Sequence, residues 1–248
     1  MLDTGCLRLV WITEEESMRM LRRLVDGLLG VSLAMWCLGG VLSIGSYAQE
    51  KKPLEFDLPK PQFIGTPKEV PPGTRVEPPS GQKPPVLMVP KDTVLISQFK
   101  PVNSSDEEPI IGELDLVTDG DKEAQDGCYV ELGPMLQWVQ IDLEQTAEIH
   151  AIVVWHYHSE ARVYHDVVVQ LADDPDFITN VRTVFNNDHD NSSGLGVGDD
   201  YEYFETNQGK VIDAQGFKAR YVRLYSNGNT SNEQNHYTEV EVYGIPVE

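Results

Sequence analysis

The sequence of this 248-residue chain predicts an all-β fold, a β-sandwich or jelly roll, over its C-terminal part. From about Asp92 onwards, short apolar runs recur that either alternate with period two or are rich in β-branched residues. Turn signals rich in aspartate, asparagine and glycine separate these runs. No segment longer than a turn or two has the 3.6-residue periodicity of an amphipathic helix. Many short strands joined by tight turns are typical of a sandwich.

Five segments are the predicted strands, and each has its own pattern. Trp138–Leu143 alternates strictly, as in a strand with one buried face. Ile149–Tyr157 is almost continuously apolar, as in a strand that is covered on both faces. The remaining three predicted strands are Val163–Leu171, Tyr221–Tyr225 and Val240–Tyr243. The turn signals that separate the runs include Asp119-Gly120, Asp126-Gly127, Asp173-Asp174-Pro175-Asp176, Asn207-Gln208-Gly209 and Asn227-Gly228-Asn229.

Residues 1–48 carry the pattern of an export signal that begins late. Three arginines, the last of them Arg23, precede an apolar run over 28–44, and Ser46-Tyr47-Ala48 forms a small-x-small cleavage pattern. Cleavage there would make Gln49 the first residue of the mature chain. The alternative is an uncleaved signal anchor, since the apolar run is nearly long enough to span a bilayer. Residues 1–17 are better explained by an over-extended start codon than by a signal.

Residues 49–91 form a proline-rich segment. They contain 11 of the 16 prolines of the chain and have no periodic apolar pattern. This composition predicts an extended linker that holds the domain at 92–248 away from its attachment point. A docking peptide for a proline-recognising domain is the alternative.

The acidity of the chain belongs to its C-terminal part. Residues 92–248 contain 30 acidic and 8 basic side chains, whereas the whole chain has a net charge of −21. Such a surface repels phosphate backbones and anionic headgroups, so nucleic acid and acidic membranes are excluded as partners. Removal of the signal would leave Cys128 as a single free thiol, and a domain with no disulfide calls for another means of stabilisation.

The ordered motifs of the C-terminal part resemble the discoidin, or coagulation-factor type C, domain of the galactose-binding-like superfamily. The motifs are LVTDGD at 116–121, LQWVQIDL at 136–143, RVYHDVVVQLADDPDF at 162–177, ARYVRLY at 219–225 and TEVEVYG at 238–244. The resemblance covers roughly 92–244 and implies a jelly-roll β-sandwich. Relatives in this family bind sugars, phospholipid headgroups, collagen or other proteins through loops at one end of the sandwich.

The resemblance also implies a structural calcium ion. In bacterial relatives, the Asp-Gly-Asp turn and the first glutamate of the last strand hold the ion, and these positions are Asp119, Asp121 and Glu239 here. Carboxylate oxygens suit calcium, which takes six to eight oxygen ligands. The chain departs from the family pattern after Asp121, where a threonine often contributes a ligand. A solvated acidic turn is the alternative, and an EF-hand is excluded because Ala124 and Val130 replace its required glycine and glutamate.

The stretch IVVWHYHSEARVYHDVVVQL at 152–171 gathers histidines and permits two interpretations. If it forms a hairpin, His156 faces His165 with His158 diagonal to it, which is a geometry for zinc or copper. Alternatively, the histidines lie at the rim of the core and bond to neighbouring groups. An enzyme is not predicted, because the sequence has no nucleophile elbow and no recognised zinc-binding or phosphate-binding signature.

A ligand site at the strand ends is the favoured interpretation. Sugar recognition needs an apolar ring face and planar polar groups in a preformed site. The predicted ligand-binding residues are His158, Arg162, Tyr164, Asn235, His236 and Tyr237. The sequence therefore predicts an exported, non-catalytic module that binds a glycan at the cell surface or outside it. The alternative is a structural module that docks onto another surface protein and is tethered by the proline-rich segment.

Overall fold

A computed structural model describes residues 49–62, 67, 69–77 and 86–247. The predicted export signal or anchor at 1–48 lies outside the described residues. Within the described ranges, no helix has the length and apolar character that crossing a bilayer requires.

The predicted all-β class is confirmed, since the one helical element among the described residues is a short 3-10 helix at Leu114–Thr118. The strands are β1 Lys51–Pro53, β2 Met88–Pro90, β3 Val94–Leu95, β4 Val102–Ser104, β5 Val130–Leu132, β6 Gln137–Trp155, β7 Val168–Ala172, β8 Arg182–Asn186, β9 Lys210–Ser226, β10 Asn235–Tyr237 and β11 Glu239–Pro246. The main sheet has seven antiparallel strands in the order β3-β11-β6-β9-β7-β8, with β4 beside β6.

Strands β6 and β9 are the long central pair of the main sheet. The predicted strand at 138–143 and residues 149–155 of the predicted strand at 149–157 are both part of β6, which continues through an irregularity in its pairing with β9 between Asp142 and Ala147. Glu144 lies in this irregularity with a φ of 63°. The polar segment between the two apolar runs therefore interrupts the register without ending the strand, as β-bulges do.

A second, smaller sheet pairs β10 with β5 and covers one face of the main sheet. In β5 and β10, Val130, Leu132 and Tyr237 are buried in the same core cluster as the inward-facing residues of the main sheet. From the main sheet this core receives Val139, Ile141, Ile152, Val154, Val169, Leu171, Val222, Leu224, Val240 and Val242. The core therefore lies between two layers, as in a sandwich.

Part of the segment predicted as a free linker packs on the domain. β1 pairs with β2, and the ring of Phe56 meets Trp155 edge-on at a centroid distance of 5.6 Å. Leu54 and Val89 join the same apolar cluster, which covers the outer face of β6 and β11. We name Gln49–Gln62 the arm. The difference from the prediction has a physical reason, because a few apolar side chains among the prolines bury an apolar surface that the sheet would otherwise expose.

Candidate ligand site and acidic clusters

A group of aromatic and polar side chains lies on the outer face of the small sheet. In the β5–β10 register, His236 pairs with Glu131 and points away from the core. Tyr129 precedes β5, while Tyr157 and Arg162 come from the connection that follows β6. We call these five residues the tyrosine–histidine patch.

The rings of the patch are arranged at steep angles to one another. Tyr129 and Tyr157 lie 5.1 Å apart between centroids with an interplanar angle of 68°. The imidazole of His236 is 5.8 Å from Tyr129 and 5.9 Å from Tyr157. The guanidinium carbon of Arg162 lies 4.5 Å from the centre of the Tyr157 ring, which is a cation–π contact. The patch therefore combines ring faces with planar hydrogen-bonding groups.

The charges of the patch are partly paired. Arg162 donates from Nε and Nη2 to Glu160 Oε2, at 3.1 and 2.9 Å. His236 Nε2 lies 3.2 Å from Glu131 Oε2. Burial and the nearby positive charge of Arg162 lower the pKa of His236 to about 3, so its imidazole is neutral at pH 7. Burial raises the pKa of Glu131, against the opposing effect of Arg162.

Three of the six predicted ligand residues come together at this patch. Arg162 and His236 belong to it, and Tyr164 lies beneath it with its ring 6.0 Å from that of His236. Tyr164 is only 1% exposed and stacks on His156 at a centroid distance of 4.4 Å. Tyr164 therefore supports the patch from within the core rather than from its surface.

The other three predicted ligand residues make buried structural contacts. His158 Nε2 donates to the carbonyl of Lys122 at 2.8 Å. The amide nitrogen of Asn235 donates to the carbonyls of Gly133 and Met135, at 2.8 and 2.9 Å. Tyr237 lies in the core with 0% exposure, and its hydroxyl lies 3.0 Å from that of Ser226. These residues hold loops in place, whereas the sequence pattern places them at an exposed rim.

The sequence pattern did not single out Tyr129, Glu131 or Tyr157. Tyr157 is the last residue of a predicted strand and stands between two histidines, and that position is a signal that could have found it. Glu131 and Tyr129 have no such signal, because their place in the patch depends on the pairing of β5 with a strand about 100 residues away.

The histidine-metal interpretation is wrong, because the three histidines have separate partners. His156 Nδ1 lies 2.7 Å from Glu205 Oε1, and His165 Nδ1 lies 2.9 Å from Glu202 Oε1. The segment between β6 and β7 makes isolated bridges to other loops instead of closing a hairpin.

The predicted calcium turn brings Asp119 and Glu239 together. The N–H of Gly120 donates to Glu239 Oε2 at 3.0 Å. Glu239 is 1% exposed, and its pKa is raised to about 8 by burial and by the charges of Glu241 and Asp119. Asp121 instead accepts the N–H of Glu123 at 2.9 Å. The carboxylates of Asp119 and Glu239 are of the type that a hard cation prefers. Burial raises the pKa of Asp119, and the nearby charge of Asp121 also raises it.

A basic side chain lies next to this turn. Lys122 Nζ is 2.6 Å from Glu241 Oε1, and it donates to the carbonyl of Asp57 in the arm at 3.0 Å. The ammonium also lies 5.0 Å from the ring centre of Trp155. Lys122 therefore neutralises Glu241 and leaves Glu239 without a basic partner within salt-bridge distance among the described residues.

A second acidic cluster gathers Asp166, Asp188 and Asp190. One oxygen of each lies within 4.8 Å of the others, and it is the one group of potential metal ligands in the described part of the chain that meets this distance. Asp188 is buried and accepts the N–H groups of Ser193 and Ser192, at 2.9 and 3.2 Å. Burial opposes its ionisation, but these hydrogen bonds outweigh that effect and hold the pKa of Asp188 below its ordinary value.

No family model and no curated protein matches the chain. Among solved structures, the family 89 glycoside hydrolase from Clostridium perfringens is similar at 17% identity and a TM-score of 0.47, over 62% of this chain and 15% of that one. The chain therefore spans only a small part of that enzyme.

Two similar structures are modules of comparable size. The CBM32 of AlyQ in complex with 4,5-unsaturated mannuronic acid is 22% identical over 57% of this chain and 92% of the other, with a TM-score of 0.43. The Streptococcus pneumoniae fucose binding module SpX-3 is 20% identical over 60% and 97%, also with a TM-score of 0.43.

Proposed function

We propose that the domain is a non-catalytic glycan-binding module whose site is the tyrosine–histidine patch. The observation that carries the proposal is the arrangement of Tyr129 and Tyr157 at 68° beside the planar polar groups of Arg162 and His236. A pyranose ring offers CH groups to an aromatic face and hydroxyls to such planar groups. The patch supplies both kinds of group next to each other, with Tyr157 5.1 Å from Tyr129, 5.9 Å from His236 and 4.5 Å from Arg162.

The hydrogen-bonding capacity of the patch is incompletely used. Nη1 of Arg162 and Nδ1 of His236 are buried and lack a partner among the described residues. Because buried polar groups are normally paired, these two atoms favour a ligand or an ordered water at the patch. Neutral His236 offers one donor and one acceptor, which suits hydroxyl groups. An exported location at the cell surface or outside it is part of the same proposal.

Binding to a glycan array by wild type and a Tyr157→Ala variant tests the proposal. We expect the variant to lose about tenfold in affinity, because it removes a stacking face. Tyr201→Ala is the control, since Tyr201 is a 42% exposed tyrosine that packs against Arg75 instead. Arg162→Lys keeps the charge but loses the planar fork, and we expect weaker binding from it as well. A wild-type chain that retains no glycan, yet captures one specific exported protein, would overturn the glycan assignment in favour of an interaction module.

We also propose a structural calcium ion held by Asp119 and Glu239. The support is the buried carboxylate of Glu239, which has Glu241 and Asp119 as acidic neighbours and a single backbone donor. A bound cation would supply the missing positive charge and would join the turn after the 3-10 helix to the last strand. The response of the melting temperature to calcium and to a chelator tests this proposal.

A further inference from the structure

Together with Glu160, the ion-pair partner of Arg162, the tyrosine–histidine patch carries an excess of negative charge. Its one permanently charged base, Arg162, forms an ion pair with Glu160 through both Nε and Nη2. His236 is neutral at pH 7, so Glu131 has no cationic partner from that residue. The patch and Glu160 thus present two carboxylates and one guanidinium to a ligand.

Glu131 is the carboxylate of the patch. Its side chain is 16% exposed, so a ligand can reach it. Among the described residues, His236 Nε2 at 3.2 Å is the one basic nitrogen within salt-bridge distance of its carboxylate. A partly buried carboxylate whose one basic neighbour is neutral gains more from a charged donor than from a neutral one, because charge-assisted hydrogen bonds are about twice as strong.

The aromatic side chains next to Glu131 also favour a cation. Tyr129 and Tyr157 stand at 68° to each other, and their ring faces carry the negative part of the aromatic quadrupole. Tyr157 already holds a cation, the guanidinium of Arg162, at 4.5 Å. Tyr129 is 8% exposed and lies two residues before Glu131 in the sequence. A cationic group of a ligand placed against Glu131 would also lie near an aromatic ring.

The net charge of the whole domain also favours a cationic ligand. With 30 acidic and 8 basic side chains over 92–248, its field attracts cations and repels uronic or sialic acids. We infer that the patch takes a glycan bearing a free, protonated amino group, with Glu131 as the acceptor of the ammonium. This inference rests on the proposed glycan-binding function.

Titration calorimetry on the full chain tests the inference. The two ligands are oligomers of equal length, one of glucosamine and one of N-acetylglucosamine. The pH is about 6, at which the amino group of glucosamine is protonated. We expect the wild type to bind the amine oligomer at least about tenfold more tightly. Glu131→Gln keeps the shape of the side chain and removes its charge, and should bring the two affinities together. Glu107→Gln, at an exposed position, is the control that should keep the preference.

The outcomes separate the inference from the proposed function. Equal binding of the two oligomers by wild type, or a preference for the acetylated one, overturns the amine assignment and leaves glycan binding in place. Binding of neither oligomer nor any other glycan overturns both. If Glu131→Gln fails to fold, the wild-type preference and its loss at high ionic strength still decide the question, because a charge-dependent preference is screened by salt.

Discussion

The two acidic clusters of the domain contrast in how their carboxylates are stabilised. Burial opposes the ionisation of Asp188, but N–H donors from its own loop hold its pKa below the ordinary value. Glu239 is also buried, receives one N–H donor and has acidic neighbours, so its pKa is raised to about 8. The difference shows that close carboxylates do not by themselves indicate a cation site. What matters is whether the backbone already satisfies the charge.

The largest expected effect concerns calcium and Glu239. A ligand at 100 times its dissociation constant stabilises the folded state by about 2.7 kcal/mol. We therefore expect calcium to raise the melting temperature, a chelator to lower it, and Glu239→Gln to remove both responses. Melting curves of the two proteins in calcium and in chelator measure this. Superimposable wild-type curves would show that Glu239 is not a calcium ligand, and a response that persists in Glu239→Gln would place the ion elsewhere.

A smaller effect is expected when Asp188 is replaced. Asp188→Ala leaves the N–H groups of Ser193 and Ser192 without their acceptor, so we expect a loss of about 2 kcal/mol in the free energy of unfolding, with or without calcium. Urea denaturation measures it, and Asp199→Ala, at an exposed position in the same loop, is the control. A loss that appears only in calcium would mean that this cluster binds the ion as well.

The pH dependence that Glu239 contributes in chelator accumulates gradually over several pH units. The folded-state pKa of about 8 lies above the ordinary value of 4.5, so the folded state binds the extra proton. The stabilisation that Glu239 contributes is therefore fully present below about pH 4.5. As the pH rises towards 8, its contribution to the free energy of unfolding falls by at most about 1.4 kcal/mol per pH unit. The difference in unfolding free energy between wild type and Glu239→Gln, measured across this range, should follow that slope. A flat difference would mean that Glu239 is already paired with a cation.

Much of the fold is readable from local pattern, and much of the site is not. The alternation at Trp138–Leu143 and the apolar run from Ile149 both fall in β6, because strand periodicity is a local property. The patch joins Glu131 of β5 to His236 of β10, a contact set by strand register over a long sequence separation. Residue type alone therefore led to Asn235 and Tyr237, which have the chemistry of a sugar site but face inward.

The pairing of β1 with β2 gives the domain a mechanical property. Lys51 lies opposite Pro90, and β1 and β2 are joined by three residue pairs. A force applied to the chain before Gln49 therefore acts on this short strand pair before it acts on the sandwich. This ladder and the contact of Phe56 with Trp155 would yield first, since they bury far less surface than the main core. Their rupture would pass the load to contacts that the chain makes further on, first the hydrogen bond from Lys122 to the carbonyl of Asp57 and then the pairing of Val76 with Glu202.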